Sequence, residues 1–390
     1  MGATVLEGVR VLDLSRLLPG GYATLVMADL GAQVDKLEDP RGGDYLRALG
    51  PELADVSAFF YALNRNKRSL ALDLKRPEGI AAVRRLVRHY DVVVESFRPG
   101  VMDKLGLSWE VLSGENPRLV YCAISGFGQT GPDRLRSGHD IGYIARAGLL
   151  GYGGDPEGWP ALPGGQVADV GGGSLFAVVG ILAALYERER TGRGRLVDVS
   201  MTEGAMAFIH MQLGARLAAG AAAVPLRRGA ELLNGGAACY GVYRTRDGRY
   251  LAVGALEPKF FAGLCEAIGR PDLVDAGQDT GEAAARARSE IAAAIGARPL
   301  HEWIERFRSI DVCVEPVLEG VELEEDPQHR ARGLFVRARD PQRGREVTHL
   351  KTPLAGSDLP LQPPPGLGQH GREILAEAGF TEAEIARLVP

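Results

Sequence analysis

Cysteine is scarce: Cys122, Cys239, Cys265 and Cys313 are the four in 390 residues, widely spaced and forming no C-x-x-C pair. That spacing argues against a disulfide framework and against a cysteine-built metal site, so no metal is expected and the thiols read as reduced. Excess positive charge is also missing. Lys and Arg total 45 against 50 Asp and Glu, a net charge of -5, and no nucleic-acid partner is expected from such a balance. Long hydrophobic runs are absent as well. The longest, Leu175 to Tyr186, is about a dozen residues and falls short of the ~20 that span a bilayer, so it predicts a buried helix and no membrane partner. Met1 to Val11 shows no charged-then-apolar leader and Arg387 to Pro390 spell no peroxisomal address, which makes a cytoplasmic protein the expectation.

What is present is an ordinary globular composition, 45% apolar and 24% charged. A chain of this length calls for about two domains. Its first two hundred residues alternate short apolar runs with amphipathic stretches: strands at 9–14, 33–38, 69–74, 91–95, 119–125 and 196–200, with helices at 22–30, 77–89 and 174–188. This rhythm predicts parallel βαβ units in a doubly wound, Rossmann-like α/β sheet. The texture changes near Gly235. Two strands, 240–245 and 250–255, flank the turn Arg246-Asp247-Gly248-Arg249, and helices at 258–269, 282–297 and 299–308 follow, which predicts a smaller α+β domain. The expected division is a large domain of 1–205 plus 321–390, an alanine-rich connector at 206–234, and a small domain at 235–320.

The opening strand–turn–helix resembles a dinucleotide site, yet Leu18-Pro19-Gly20-Gly21-Tyr22 is not G-x-G-x-x-G, so a nicotinamide cofactor is disfavoured. Basic residues gather near expected strand ends. Lys36 and Arg98 stand where ligands of open α/β sheets collect and suit phosphate oxygens; Asn66 and Lys67, in Arg65-Asn66-Lys67-Arg68, precede their strand and are weaker candidates. A glycine-rich loop, Ser125 to Pro132, follows a strand, and Gly138-His139-Asp140-Ile141-Gly142-Tyr143 comes soon after. A lone histidine is more often structural than catalytic. Asp169, ahead of Gly171-Gly172-Gly173-Ser174, reads equally as a helix cap, a general acid–base or a nucleophile.

Taken in order, VRVLDLSRLLPGGYATLVMADLGAQVDKLE, NRNKRSLALDLK, ESFRPGV, ISGFGQTGP, GHDIGY, VADVGGGS and LGQHGREIL resemble the family III CoA-transferases (the CaiB/BaiF group) over nearly the whole length. Within that group they are most similar to the α-methylacyl-CoA racemases. The resemblance implies an acyl-CoA thioester substrate, with coenzyme A held as part of the substrate and no separate cofactor. It implies contacts to that substrate from Lys36, Asn66, Lys67, Arg98, Gly138 and Tyr143. Asp169 matches the family aspartate, a nucleophile in the transferases and an acid–base group in the racemases. His139 and Glu257 match the two further residues of the racemase branch. The resemblance further implies an interlocked homodimer, with Glu257 acting across the interface. One departure stands out: Gly142 occupies the place of an asparagine in the racemase motif. Two rivals follow, a CoA-transferase and a catalytically silent CoA- or nucleotide-binding protein. For the racemase reading, backbone N–H groups of Gly171 to Gly173 are expected to stabilise an enolate oxygen.

Overall fold

A computed structural model describes residues 4–53, 56–222, 226–341, 343–356 and 361–389. The chain divides into two compact units, one of residues 1–147, 165–208 and 327–390 and one of residues 148–164 and 209–326. The expected connector 206–234 therefore does not stand apart: it joins the second unit from Ile209 onward, and its residues 223–225 lie outside the described part. Segment 148–164, expected in the large domain, also belongs to the second unit. Tyr152 anchors it there through a 2.6 Å hydrogen bond to Glu231.

The first unit is built on six strands: β1 (Arg10–Asp13), β2 (Gln33–Glu38), β3 (Lys67–Ala71), β4 (Val92–Glu95), β5 (Val120–Ser125) and β6 (Leu196–Ser200). Their order is β3-β2-β1-β4-β5-β6 and every neighbouring pair is parallel, the doubly wound arrangement expected. Runs such as VVVE and VYCAIS are buried throughout because helices cover both faces of a parallel sheet. On one face lie helix α2 (Pro77–Leu86), which starts with proline where no N–H is needed, and α3 (Trp109–Glu115). Helices Gly371–Glu377 and Glu382–Leu388 complete that face, contributing Ile374, Leu375, Ala378 and Ile385 to its core. On the other lie α1 (Leu17–Asp29) and, after α4 (Asp140–Arg146), the helix α5 (Phe176–Thr191). A short α6 (Met201–Met206) follows β6.

Two local outcomes differ from expectation. Leu18 to Gly21 was expected as a turn, but α1 already begins at Leu17 and takes Pro19, Gly20 and Gly21 into its first turns. A Cβ on Gly20 would lie 2.1 Å from the Cβ of Ser15, so glycine here permits close packing of helix on chain rather than a turn. The second is the apolar run near 175–186, which belongs to a longer helical stretch, Val167–Thr191. By length and composition that stretch is long and apolar enough to cross a membrane. Here it packs on β5 and β6, and its Arg188 forms a 2.8 Å ion pair with Asp91.

The second unit holds a three-stranded antiparallel sheet: β7 (Tyr240–Arg244) and β8 (Tyr250–Gly254) form the expected hairpin, and β9 (Val314–Pro316) joins the far side of β8. Helices Pro258–Ala267, Glu282–Ile295 and Leu300–Phe307 cover it around Trp303, whose indole N–H donates to the Ile295 carbonyl at 2.8 Å.

Beneath the carboxyl ends of β1 and β2 lies an enclosed ionic cluster. Asp13 accepts from the Ser15 backbone N–H and from the Thr24 hydroxyl, and faces the ammonium groups of Lys67 at 3.4 Å and Lys36 at 3.9 Å. Burial pushes the Asp13 carboxyl up, but Lys36, Lys67 and the hydroxyls of Ser15 and Thr24 outweigh it and hold the group below its usual range. Burial depresses the Lys67 ammonium to about 8 against the pull of Asp13. Removing one partner of such a set strands the others. Asp13→Ala is accordingly expected to cost about 3–5 kcal/mol of stability, measured by guanidinium denaturation. An unchanged midpoint would show that the two lysines do not depend on it.

Candidate active site

His139 and Asp169 are brought together through the side chain of a third residue, Asp140. His139 is the residue just before α4, and Asp140, the first residue of α4, reaches across to the start of the next helical stretch. Its Oδ1 accepts the backbone N–H of Ala168 at 2.6 Å and that of Asp169 at 2.9 Å. Those are donors that a helix start leaves without intrahelical partners. The stretch they open, Val167–Leu175, is a π-helix, wider than an α-helix, and it runs directly into α5.

The glycines explain why it fits. A Cβ on Gly172 would lie 2.6 Å from the Met201 carbonyl and 2.7 Å from the Ala205 nitrogen, and one on Gly204 would meet the Gly172 carbonyl at 2.2 Å. The π-helix and α6 thus touch backbone to backbone. Ser174 fastens the other side, its hydroxyl donating to the Pro19 carbonyl at 2.6 Å and to the Asp169 carbonyl at 3.1 Å.

Electrostatics mark Asp169 out. Burial and the charge of Asp140 push its carboxyl up to about 6, with His139 pulling the other way. Tyr143, one turn into α4, is pushed up to about 12 by burial and by Asp169, against a lowering influence from Arg98. Its ring stands edge-on to Phe127 with centroids 5.3 Å apart, and it fills the space that side chains at Gly126 and Gly138 would need. His139 is exposed and Asp169 half-buried. A carboxyl poised near 6 beside an accessible imidazole can take or give a proton near neutral pH.

Of the basic candidates, Arg98 is exposed, follows β4 and has no side-chain partner among the described residues. Lys36, Lys67 and Asn66 require correction. The Lys36 ammonium is wholly enclosed, donating to the Ser15 carbonyl at 2.8 Å and paired with Asp44 at 3.0 Å. Lys67, the first residue of β3 rather than a residue before it, is bound to the Gly21 carbonyl, Thr24, Asn64 and Asp13. Asn66 bridges Asp29 and the Gln362 backbone. These three hold the first unit together, because charges and amides removed from water must find partners inside. The proposed oxyanion donors change too. In a π-helix each N–H is given to the carbonyl five residues back, so those of Gly171, Gly172 and Gly173 are used within the ladder.

Glu257 lies in the second unit, exposed, after β8 and immediately before helix Pro258–Ala267, and its side chain makes no cap hydrogen bond. Asp140 is the residue of this arrangement to which sequence reasoning gave no part. It stands beside His139 in the GHDIGY motif, but its partners are 28 and 29 residues further on and nothing in the spacing announces them. Among the described residues, no group of three or more His, Cys, Asp or Glu is arranged to hold a metal ion.

With this geometry in view, comparison with known proteins is informative. The model of CoA-transferase family III matches residues 6–371. The chain is 38% identical to human alpha-methylacyl-CoA racemase, over 98% of this chain and 96% of that protein. It is 37% identical to succinate–glutarate CoA-transferase of Agrobacterium fabrum, over 95% of each. Among solved structures, a CaiB/BaiF family protein from Brucella suis superposes with a TM-score of 0.80 at 33% identity, covering 96% of this chain and 99% of that one.

The glycines of the site are expected to separate sharply on substitution. Gly172→Ala forces backbone atoms apart and is expected to destabilise by about 1–3 kcal/mol. Gly142→Asn meets no atom within 4 Å of its new Cβ and is expected to stay within about 0.5 kcal/mol of the parent. Thermal denaturation of the two variants checks the contrast, and equal losses would refute it.

Proposed function

The chain belongs to CoA-transferase family III, a family of enzymes acting on CoA thioesters, and on that premise we propose that it is an acyl-CoA racemase interconverting (2R)- and (2S)-2-methylacyl-CoA. The observation that carries this reading is the coupling of His139 to Asp169, whose carboxyl is held near 6. His139 and Asp169 face the α-carbon from opposite sides. One removes its proton, the electron pair delocalises onto the thioester oxygen as an enolate, and the other returns a proton to the opposite face. Each group is a base in one direction and an acid in the other, and a carboxyl held near 6 suits Asp169 to both roles. Tyr143 and Gly138 border the same place, and Arg98 offers an unpaired cation to a phosphate of the CoA moiety.

The same reading gives the protein a second copy as partner, with Glu257 of the partner subunit holding His139 in one tautomer. Leu175, Phe176, Val179 and Tyr186 leave an apolar face of the helical stretch exposed on the single chain, which supports an association between copies.

The CoA-transferase relatives favour one second reading. There the Asp169 carboxylate attacks the thioester carbonyl and expels CoA thiolate; that thiolate then opens the anhydride at the Asp169 carbonyl, releasing the donor acid as its carboxylate and leaving an aspartyl-CoA thioester, from which an acceptor carboxylate takes CoA by the same two steps in reverse. His139 has no part in this, and a nucleophile gains nothing from a carboxyl that is half protonated near pH 6.

Incubation of one epimer of a 2-methylacyl-CoA in deuterium oxide decides between them. α-Deuteration with loss of optical purity, in the absence of an acceptor acid, is expected; CoA transfer to an added carboxylate without label would overturn racemisation. His139→Ala is expected to slow exchange by roughly 10²–10⁴-fold. For the epimer whose proton Asp169 accepts, the rate is expected to fall as pH drops through about 6, because the protonated carboxyl is no longer a base. A profile flat from pH 5 to 8 would remove Asp169 from that step.

A further inference from the structure

We propose that Asp140 is a positioning residue: its carboxylate ties the backbone that carries Asp169 to the element that carries His139, and it sets beside Asp169 a carboxylate that no described cation pairs with. The inference rests on the acid–base reading of Asp169 given above. Its foundation is geometric. One carboxylate oxygen of Asp140 accepts the N–H groups of both Ala168 and Asp169, so the backbone that carries the reacting carboxyl is tied to the element that carries His139. A shift of α4 therefore moves both proton carriers together, and their separation, which must match the width of one carbon centre, is conserved.

The charge of Asp140 is free to act on its neighbour. Among the described residues no Lys, Arg or His forms an ion pair with it, whereas Asp133, nearby in sequence, is neutralised by Arg146. Two carboxylates this close cannot both shed their protons cheaply, and the one with no hydrogen-bond donors on its own oxygens is the one that holds on. Asp169 is that one: neither of its carboxylate oxygens accepts a hydrogen bond from a described residue.

The other groups around Asp169 do not supply the effect. His139 acts in the opposite sense, and Tyr143 is neutral at the relevant pH. Glu203 on α6 is exposed. Asp198 on β6 is occupied by the Gln129 backbone N–H, and Tyr121 and Cys122 on β5 are uncharged. On α1 the nearest charge, Asp29, lies at the far end and is paired with Arg65. The charged residues of α5 cluster at its last turns.

The test separates anchor from charge. Asp140→Asn keeps an oxygen acceptor for the two N–H groups and removes the charge; Asp140→Ala removes both. The protonation of Asp169 is followed by carbon NMR of aspartate-labelled full-length protein without substrate, its signal assigned by loss in Asp169→Asn. In the parent it is expected to titrate near 6. In Asp140→Asn the midpoint is expected about one pH unit lower, a tenfold change in proton affinity. The acid limb of the exchange-rate profile should move with it while KM changes little. Asp140→Ala is expected to lower kcat further and to broaden or shift the Asp169 signal. An Asp169 midpoint in Asp140→Asn equal to the parent's overturns the proposal. Because the titration needs no substrate, it decides the role of Asp140 even if the deuterium experiment shows CoA transfer instead of racemisation.

Discussion

Backbone pressed on backbone, where Gly172 meets Gly204, is the contact on which the geometry of the site depends. A Cβ on either glycine would strike backbone atoms of the other segment, so at this point the spacing of the π-helix and α6 is set by carbonyls and amides. The wide π-helical turn uses the room gained to bring Asp169 against the start of α4, and Ser174 pins the same turn to Pro19 on α1. Irregular helix at a point of chemistry is a recurring arrangement.

Two aspartates show how surroundings decide the fate of the same group. Asp13 is fully enclosed, yet two ammonium groups and two hydroxyls keep it ionised. Asp169 is only half-buried, but its nearest charged neighbour on the anchoring side is another carboxylate, and it keeps its proton to a much higher pH. Depth alone would have ranked them the other way round. The first arrangement makes a strut and the second makes a reagent. The basic residues divide along the same line: Lys36 and Lys67 pair with interior carboxylates, and the exposed Arg98 keeps its charge for solvent or ligand.

The strand–helix rhythm was legible because central parallel strands buried on both faces are apolar runs, as VVVE of β4 and VYCAIS of β5 are, and the mixed strands β2 and β6 also fall at the expected residues. The hairpin β7–β8 was equally plain from Arg246-Asp247-Gly248-Arg249. Local pattern failed where distant packing decided the outcome. Leu18-Pro19-Gly20-Gly21 carries every mark of a turn, yet it lies in α1, and Gly20 is needed there for the close approach of Ser15. The strand Val314–Pro316 was not foreseen because three residues show no periodicity. His139 and Asp169 could be named from motif resemblance. Asp140 stood in plain sight without a role, because hydrogen bonds to backbone groups in another segment leave no trace in side-chain type.

The first unit is assembled from three stretches of chain, with helices Gly371–Glu377 and Glu382–Leu388 closing the core over Leu12, Leu70 and Val93. During synthesis on a ribosome, that core stays incomplete until residues 371–388 have emerged, whereas residues 148–164 and 209–326 can finish their own core earlier. A part of the chain made first is thus completed after a part made later, since Ile374, Leu375, Ala378 and Ile385 supply the last of its apolar cover.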